Sequence, residues 1–411
     1  MRVLLVNSID LSGGAARAAY RLHQGLVSIG VDSTMLVQNK TSDDYRVIGP
    51  VSKSAKALAK LRPTLDALPL YSYRNRSKIP LSTAWLPDQL PKKVCQLNPD
   101  VVHLHWIAGG FVRIETLAKI RKPIVWTLHD MWAFTGGCHY DEGCGRYKVE
   151  CGECPVLGSN KRRDLAYRVW KRKHKAWQGL KLTVVTPSRW QAECVKASQL
   201  LGSYSVKVIP NGLDLTQYKP VEKAQARVIL GLPQDKKLIL CGSIIDPRKG
   251  FELLRPALHR LATVVDRTQY AVLIFGASEP KQQLDFGFEA YYLGHLYDDI
   301  SLAILYSAAD VFVAPSKQDN LPNTVMEALA CGTPCVAFNI GGMPDMIENL
   351  INGYLARPFD IEDFAYAISW VLSDSERHQA LSQAARKKVE SEFELTKVAK
   401  RYVKLYETLV G

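Results

Sequence analysis

Two carboxylates separated by seven residues and a basic pair earlier in the chain could do chemistry. Asp319 and Glu327 are the carboxylates, and Arg248 with Lys249 are the cations. Carboxylates bind hydroxyl groups or balance a developing positive charge, whereas a guanidinium and an ammonium beside a helix start can hold a diphosphate and stabilise it as it leaves. These residue types could form a site for a polar ligand that carries phosphate. Taken alone, however, the pattern favours a solvated acidic loop and a solvated basic turn.

The elements around the acidic pair must position it. Val311 to Ala314 predicts a short buried strand, after which a polar loop carries Asp319. Apolar periodicity then predicts a helix that begins near Thr324 and holds Glu327 in its first turn. Cys335 to Phe338 predicts a second buried strand. Parallel units of this kind bind ligands beyond the carboxyl ends of their strands.

The stretch resembles the donor-binding motif of the retaining family-4 glycosyltransferases with the GT-B fold, which carry two Glu separated by seven residues. Asp319 stands at the first position and Glu327 at the second. The resemblance implies that Asp319 lies near the donor sugar, although it is one methylene shorter than Glu. It also implies that Glu327 binds the ribose hydroxyls of the nucleotide. The donor contacts implied around the motif are Asn320, Leu321, Pro322, Gly341 and Gly342.

The basic pair also has a counterpart in the family, whose members usually carry an Arg directly after a strand glycine and a Lys nearby. Ser243 occupies that Arg position here, so Arg248 is expected to substitute beside Lys249. No Asp-x-Asp motif accompanies the donor site. We therefore expect these two cations and helix ends, rather than a metal cofactor, to neutralise the diphosphate. The resemblance implies a front-face mechanism in which the leaving phosphate takes the acceptor's proton.

The N-terminal part predicts a second set of ligand-facing residues. Gly13 and Gly14 lie between a predicted strand and a helix that runs to about Ser28, and glycines there let the backbone approach an anion. A tight turn alone is the alternative. His129 follows a predicted strand, and the resemblance implies that it lies near the donor sugar.

Two further histidines, His103 and His105, stand at the end of another predicted strand, Asp100 to Trp106. They are predicted to line the acceptor cleft or to be hydrogen-bonded core histidines. The pattern does not distinguish these two interpretations.

Four cysteines within 17 positions follow His129 and end in a Cys-x-x-Cys pair. This Cys-rich loop, residues 138–154, holds Cys138, Cys144, Cys151 and Cys154. The preferred prediction is a structural zinc with four thiolates, which leaves no open position for catalysis. Free or redox-active thiols and two disulfides are the alternatives, because the first two spacings are not those of a common zinc finger.

The net charge of +13 is unevenly distributed. Residues 1–208 hold 32 Lys and Arg against 15 Asp and Glu, whereas the remainder holds 21 against 25. Ser52 to Lys78 and Lys161 to Trp177 mix basic with apolar residues, and Trp170 and Trp177 interleave with charge in the second segment. Such segments predict helices on an anionic membrane surface. A solvated helix is the alternative for both, and RNA binding for the second. Because nothing else resembles a nucleic-acid module, no nucleic-acid partner is expected.

Alternating strands and helices over 411 residues predict an α/β chain. With the resemblance, this implies a GT-B fold, in which two Rossmann-like doubly wound domains face a central cleft. Residues 1–208 form the acceptor-side domain and 209–392 the nucleotide-sugar domain, and a helix in 393–411 returns to the first. The chain opens directly on a strand pattern and has no apolar run long enough to span a membrane. A cytoplasmic protein, peripheral on the inner face of the membrane, is therefore expected.

The resemblance implies a metal-independent, retaining glycosyltransferase of polysaccharide or glycolipid synthesis. Its expected partners are a nucleotide-sugar donor and a carbohydrate or lipid-linked acceptor. Two alternatives are a nucleotide-sugar epimerase of the same fold and a catalytically inactive binding or scaffold subunit. The second alternative is motivated by Asp319 and Ser243, which depart from the family pattern.

Overall fold

The structure is a computed structural model that describes residues 1–242, 246–279, 284–296 and 298–410. The chain divides into two compact units, one comprising Met1–Gly212 with the chain from Thr396 onwards and the other Leu213–Leu395. Each unit is built on one parallel β-sheet with helices packed on it. The predicted α/β class is therefore confirmed.

The sheet of the first unit has seven strands in the order β3-β2-β1-β4-β5-β6-β7, and every neighbouring pair is parallel. Its central strands are short apolar runs that are buried on both faces, as expected for a parallel sheet covered by helices. The strands are β1 (Arg2–Ile9), β2 (Asp32–Asn39), β3 (Val47–Ile48), β4 (Val101–Leu104), β5 (Ile124–Thr127), β6 (Leu182–Thr186) and β7 (Ser205–Val208). The helices are α1 (Gly14–Ser28), α2 (Lys53–Asp66), α3 (Leu90–Leu97), α4 (Leu165–Trp177) and α5 (Arg189–Lys196).

The sheet of the second unit has six parallel strands in the order β10-β9-β8-β11-β12-β13. The strands are β8 (Lys237–Gly242), β9 (Tyr270–Phe275), β10 (Glu289–Tyr292), β11 (Val311–Ala314), β12 (Cys335–Phe338) and β13 (Gly353–Ala356). The helices are α6 (Lys223–Leu230), α7 (Phe251–Leu261), α8 (Asp299–Ala308), α9 (Asn323–Ala330), α10 (Met343–Met346), α11 (Ile361–Leu372) and α12 (Ser375–Glu392). The predicted strand–helix–strand unit is confirmed as β11, α9 and β12.

The last helix, α13 (Leu395–Val410), packs in the core of the first unit rather than the second. Its buried residues Tyr402 and Tyr406 cluster with Val3 and Leu5 of β1. Both tyrosine hydroxyls also reach polar groups of the first sheet, since Tyr402 is 2.9 Å from Thr127 Oγ1 and Tyr406 is 2.6 Å from a histidine ring nitrogen. The C-terminal segment is thus fixed to the first unit by apolar packing and by hydrogen bonds.

Each sheet has one place where the strand order reverses. In the first unit this switch point lies between β1 and β4, and in the second it lies between β8 and β11. Ligands of open parallel sheets bind beyond the carboxyl ends of the strands at such points. The loops after these four strands are therefore the expected positions of ligand-binding residues.

Helix α4 does not present its aromatic residues to the surface. Trp170 and Trp177 are 6% and 2% exposed, and Lys173 between them is fully buried. The prediction that these tryptophans lie at a membrane surface is wrong, because they pack in the core of the first unit. Within the part of the chain that the structure describes, no helix combines the length and the apolar character needed to cross a bilayer.

Candidate functional site

The loop after β8 brings the predicted basic pair to the switch point of the second sheet. Arg248 and Lys249 lie in a 3₁₀ turn, and the Asp246 carboxylate caps it by accepting from Arg248 N at 3.0 Å. Gly250 follows with φ of +71°, and a Cβ there would lie 1.9 Å from the carbonyl oxygen of Pro315. The turn therefore packs directly on the loop after β11. Ser243, the residue at the family's Arg position, lies outside the described residues.

Asp319 binds both members of the basic pair. Lys249 Nζ donates to Asp319 Oδ2 at 2.6 Å, and an Arg248 guanidinium nitrogen lies 3.3 Å from Oδ1. The Asp319 side chain is 7% exposed. Burial alone would raise the pKa of this carboxyl, but Lys249 and Arg248 outweigh it and hold the pKa below its usual value. The structure thus brings together three residues that the sequence places some 70 positions apart.

The backbone around Asp319 depends on a close approach of the predicted glycine pair. Gly341 has φ of +54°, and a Cβ on it would lie 2.0 Å from the Asp319 carbonyl oxygen. That oxygen accepts a hydrogen bond from Gly342 N at 3.1 Å. Gly341 and Gly342 therefore support the backbone of the Asp319 loop. This packing role was not predicted, since the two glycines were predicted only as donor contacts.

Glu327 is buried in the second unit, in the second turn of its helix. Helix α9 begins at Asn323, so Glu327 is in its second turn, and the prediction of a first-turn position is wrong. The residue is 2% exposed, and Tyr306 donates its hydroxyl proton to Glu327 Oε2 at 3.1 Å. Burial, followed by the Glu327 charge, raises the pKa of Tyr306 well above its ordinary value, so this hydroxyl remains a donor.

The three residues before α9 are also placed by the structure. Asn320 and Leu321 are buried, and Pro322 takes the N-cap position, where its extended backbone begins the helix. Asn320 N donates to Asp319 Oδ1 at 3.1 Å. These predicted donor contacts therefore form the connection between Asp319 and Glu327.

In the first unit, the glycine loop follows β1 at the other switch point. Helix α1 begins at Gly14, as predicted, and Gly13 precedes it with φ of +93°. Apart from Gly13 itself and its chain neighbours, no atom of the described residues lies within 4 Å of a Cβ built on Gly13. Open space and a positive φ at a helix start are the local conditions that an anion-binding loop needs.

The three predicted histidines form one group at the ends of β4 and β5. His105 Nδ1 and His129 Nε2 are 3.0 Å apart, and the two rings are stacked. His103 is fully buried, and its ring nitrogens contact the Tyr406 hydroxyl and Thr127 Oγ1. For His103, the structure supports the interpretation as a hydrogen-bonded core histidine.

Burial keeps this histidine group neutral. It lowers the pKa of His103 to about 3 and that of His129 to about 4, although Asp130 opposes the shift at His129. Burial, with the neighbouring His103 and His129, lowers the pKa of His105 well below its ordinary value. At neutral pH these rings therefore act as hydrogen-bond donors and acceptors rather than as cations.

A hydrogen-bond network next to His129 was not predicted. His139 Nδ1 lies 2.6 Å from Asp130 Oδ2, and its Nε2 lies 2.9 Å from Ser82 Oγ. Trp106 Nε1 donates to the same Asp130 oxygen at 2.7 Å. The available signal was that His139 adjoins Cys138 in the loop after Asp130, but nothing in the sequence indicated Ser82. The network fixes the backbone that carries His129.

The Cys-rich loop brings its thiols near one another but does not form a metal cage. All four cysteines are free in the structure, and three of them are buried. Burial raises the pKa of each of these thiols, and the other thiols contribute in the same direction to Cys138 and Cys151. Among the described residues, no group of three or more His, Cys, Asp or Glu side chains could hold a metal ion. This arrangement gives no support to the predicted zinc, which stays a prediction.

Two family models together match most of the chain. The model described as Glycosyltransferase Family 4 matches residues 12–217, which is half of the chain, and the one described as Glycosyl transferases group 1 matches residues 222–388. The first match covers most of the first structural unit and the first five residues of the second, and the second match lies within the second unit.

Similar proteins include a relative matched by sequence and two matched by structure. The D-inositol 3-phosphate glycosyltransferase of Saccharomonospora viridis is 31% identical over 218 residues, 47% of this chain and 49% of that protein. The chain thus spans about half the length of this relative. Sucrose-phosphate synthase from Thermosynechococcus elongatus has a TM-score of 0.71 at 20% identity, covering 100% of this chain and 99% of that one.

Anabaena HepE in complex with UDP-glucose has a TM-score of 0.65 at 17% identity, and both chains are covered completely. These structural likenesses confirm the predicted GT-B fold. The family is shown by the Glycosyltransferase Family 4 model, which matches half of the chain, and this chain therefore belongs to glycosyltransferase family 4.

Proposed function

We propose that this chain is a retaining glycosyltransferase that moves a sugar from a nucleotide-sugar to a carbohydrate or lipid-linked acceptor in polysaccharide or glycolipid synthesis. The observation that carries the proposal is the contact of Asp319 with Arg248 and Lys249 at the switch point of the second sheet. Membership of a glycosyltransferase family supports glycosyl transfer as the reaction of this cluster.

The cluster suits a diphosphate because its two cations are held in position before a ligand binds. Lys249 is held by Asp319, and Arg248 is held by Asp319, by Asp246 and by the Gln318 carbonyl at 2.9 Å. Donors that need no reorientation stabilise developing charge most effectively. We therefore assign the leaving diphosphate to these two cations, and propose that transfer requires no metal cofactor.

Asp319 has two roles in this proposal. It faces the donor sugar, as the family motif implies, and it also positions Arg248 and Lys249. Glu327 binds the ribose hydroxyls, and its hydrogen bond from Tyr306 orients the carboxylate. For His129, Gly13 and Gly14, a role in donor binding is proposed on the family resemblance alone.

The chemistry proposed for the two substrates is supported by the relatives and by the distribution of charge. HepE was solved with UDP-glucose, which supports a nucleotide-sugar donor. The first unit holds 36 Lys and Arg against 16 Asp and Glu, whereas the second holds 17 against 24. A basic unit favours an acceptor that carries phosphate, as D-inositol 3-phosphate does in the name of the Saccharomonospora relative.

A donor screen tests the reaction class. Purified protein is incubated with nucleotide-sugars and candidate acceptors, and the products are identified by NMR. Free nucleotide and a glycoside with the donor's anomeric configuration are the expected products. Free nucleotide with an isomerised sugar would show an epimerase instead. Binding without turnover would show an inactive subunit, and a product of inverted configuration would overturn retention.

Three variants test the site itself. Glu327→Gln should mainly weaken donor binding, because it loses a charge-assisted hydrogen bond worth about 1.5–3 kcal/mol. Asp319→Asn should lower turnover more than affinity, and Asp319→Glu should retain part of the activity. Asp285→Asn is the matched control, since that side chain is 77% exposed.

Thermal unfolding of each variant must accompany the kinetics, because removing one partner of a buried ion pair also destabilises a protein. If folded Glu327→Gln and Asp319→Asn bind and turn over donor like the wild type, the site is elsewhere.

A further inference from the structure

Helix α2 and the residues on either side of it expose large apolar side chains. Leu58 and Leu61 are 50% and 57% exposed on the helix. Val51 before it is 90% exposed, and Leu68 and Tyr71 after it are 48% and 69% exposed. Five of the 20 exposed large apolar side chains among the described residues thus fall in 21 consecutive positions. Single exposed leucines are common, but a cluster of this kind marks an interaction surface.

The inward face of α2 carries polar side chains beside the buried Ala59, whereas the inward face of a surface helix is usually apolar. Arg62 donates to Gln38 Oε1 at 3.1 Å, to the Gly110 carbonyl at 2.7 Å and to the Pro87 carbonyl at 2.7 Å. Asp66 is 2% exposed and accepts from Thr83 N at 3.1 Å. Hydrogen bonds therefore hold α2 on the first unit and leave its leucines outside.

A row of lysines accompanies the exposed leucines. Lys53, Lys56 and Lys60 are exposed and follow one another at helical spacing, whereas Leu58 and Leu61 lie on an adjacent strip of the same outer surface. Residues 51–78 hold seven Lys and Arg and one acidic residue, the buried Asp66. The outer surface therefore combines apolar contact area with uncompensated positive charge.

We propose that this docking surface binds the face of an anionic lipid membrane. It consists of Val51, Leu58, Leu61, Leu68 and Tyr71 with Lys53, Lys56 and Lys60. Leucines enter the headgroup boundary while flanking lysines attract anionic lipid, which is the chemistry of an interfacial helix. Nucleic acid would use the lysines but would leave the leucines without a role.

The proposal deepens the proposed function in one respect that rests on it. A protein docked on a membrane would meet a lipid-linked acceptor in that same membrane. Docking itself requires no nucleotide-sugar, so it can be measured whether or not transfer occurs.

Sedimentation of the full chain with lipid vesicles tests docking. Wild-type protein should sediment with vesicles of phosphatidylcholine and phosphatidylglycerol at low salt and be released as ionic strength rises. Vesicles of phosphatidylcholine alone should retain much less. Equal retention on both compositions, or none on either, would overturn the proposal.

Variants then locate the binding. Replacing Lys53, Lys56 and Lys60 by Gln should weaken binding about 100-fold, since each charge near an anionic surface contributes about five-fold. Leu58→Ser with Leu61→Ser should weaken it about ten-fold or more. Leu61→Trp should strengthen it, because Trp favours the membrane interface. Sedimentation of this variant without vesicles controls for aggregation.

Helix α4 supplies the matched control. Arg168, Lys171 and Lys175 are exposed basic residues of the same unit. Replacing all three by Gln removes the same charge as the α2 variant, and binding should remain within a few-fold of the wild type. Equal losses from the α2 and α4 variants would show attraction by net charge alone and would overturn a specific surface. Unchanged binding of the leucine variant would also overturn a specific surface. Circular dichroism checks that each variant is folded.

Discussion

Helices α2 and α4 look alike in sequence and are used in opposite ways. Both are rich in Lys and Arg with apolar residues at helical spacing. In α4 the apolar strip faces the core, where Trp177 donates its indole N–H to the Ile114 carbonyl at 2.9 Å. In α2 the inward face holds Arg62 and Asp66, and the leucines face outward.

The difference shows what amphipathic periodicity specifies. It establishes that a helix has two unlike faces, but the face that is buried depends on the surface against which the helix packs. Helix α4 meets the indole of Trp126, whose ring centroid is 5.3 Å from that of Trp177. Helix α2 meets the Gly110 and Pro87 carbonyls, which bind a guanidinium. In both cases the partners lie far from the helix in the sequence.

The largest expected effect is at Trp177. Trp177→Ala should lower the free energy of unfolding by about 3–5 kcal/mol, because it removes a buried ring and leaves a cavity. Denaturant titration of the purified protein measures this change. Trp85→Ala is the matched control, since Trp85 is 39% exposed in the same unit. Similar losses at the two positions would contradict the assignment of Trp177 to the core.

Next comes a pH effect at Lys173, the cation that α4 buries. Its ammonium donates to the Thr135 carbonyl at 3.1 Å and lies 3.8 Å from the centre of the Trp132 ring. Burial lowers its pKa to about 7, although nearby Cys138 and Cys151 oppose the shift. Between this value and the unfolded value of 10.5, the unfolded chain binds more protons, so rising pH stabilises the fold.

Comparison of the wild type with Lys173→Met isolates this effect. From pH 7 to 8.5 the wild type should gain about 1–2 kcal/mol of unfolding free energy relative to the variant, at up to 1.36 kcal/mol per pH unit. The window ends there because the thiols of an unfolded chain begin to titrate near that pH. A difference that does not change with pH would show that Lys173 is charged in the fold throughout this range.

Local patterns predicted much of the fold and of the candidate site. The strands at Val311–Ala314 and Cys335–Phe338 and the helix at Gly14–Ser28 have the predicted bounds, because continuous apolar runs and flanking glycines determine them locally. Glu327 was assigned to the first turn rather than the second because the helix begins one residue before Thr324, at Asn323, where no side chain caps it.

Contacts between distant residues could not be predicted in the same way. The ion pair of Lys249 with Asp319 spans 70 residues, and the contact of His139 with Ser82 spans 57. Such contacts depend on strand order, which the sequence does not state. The burial of Trp170 and Trp177 was missed for the same reason.

A smaller effect is expected at Arg172, which shares α4 with Lys173. Its guanidinium donates to both oxygens of Glu115, at 2.8 and 2.9 Å, and to the Thr83 and Ala84 carbonyls. Arg172→Gln should cost about 1 kcal/mol at pH 7, since both side chains are partly exposed to solvent.

The loss of unfolding free energy caused by Arg172→Gln should be smaller at acidic pH. Burial opposes ionisation of Glu115, but Arg172, with smaller contributions from the Glu115 backbone N–H and Arg113, outweighs it and lowers the pKa to about 2. A depressed carboxyl pKa stabilises the fold above the unfolded value of 4.5, and this stabilisation is lost as pH falls from 4.5 towards 2. Denaturant titration of wild type and variant at pH 7 and near pH 3 measures the change. A cost that stays constant would assign the effect to the two carbonyl contacts.

The smallest effect is expected where the comparison with α4 is most direct. Leu58→Ala with Leu61→Ala should change the free energy of unfolding by no more than about 0.5 kcal/mol per residue, because exposed side chains leave no cavity. Alanine also has the higher helix propensity, which offsets part of any loss. Thermal and denaturant unfolding of the lipid-free protein measure the change. A loss of 2 kcal/mol or more would show that the two leucines are packed against the protein, and α2 would then resemble α4 rather than contrast with it.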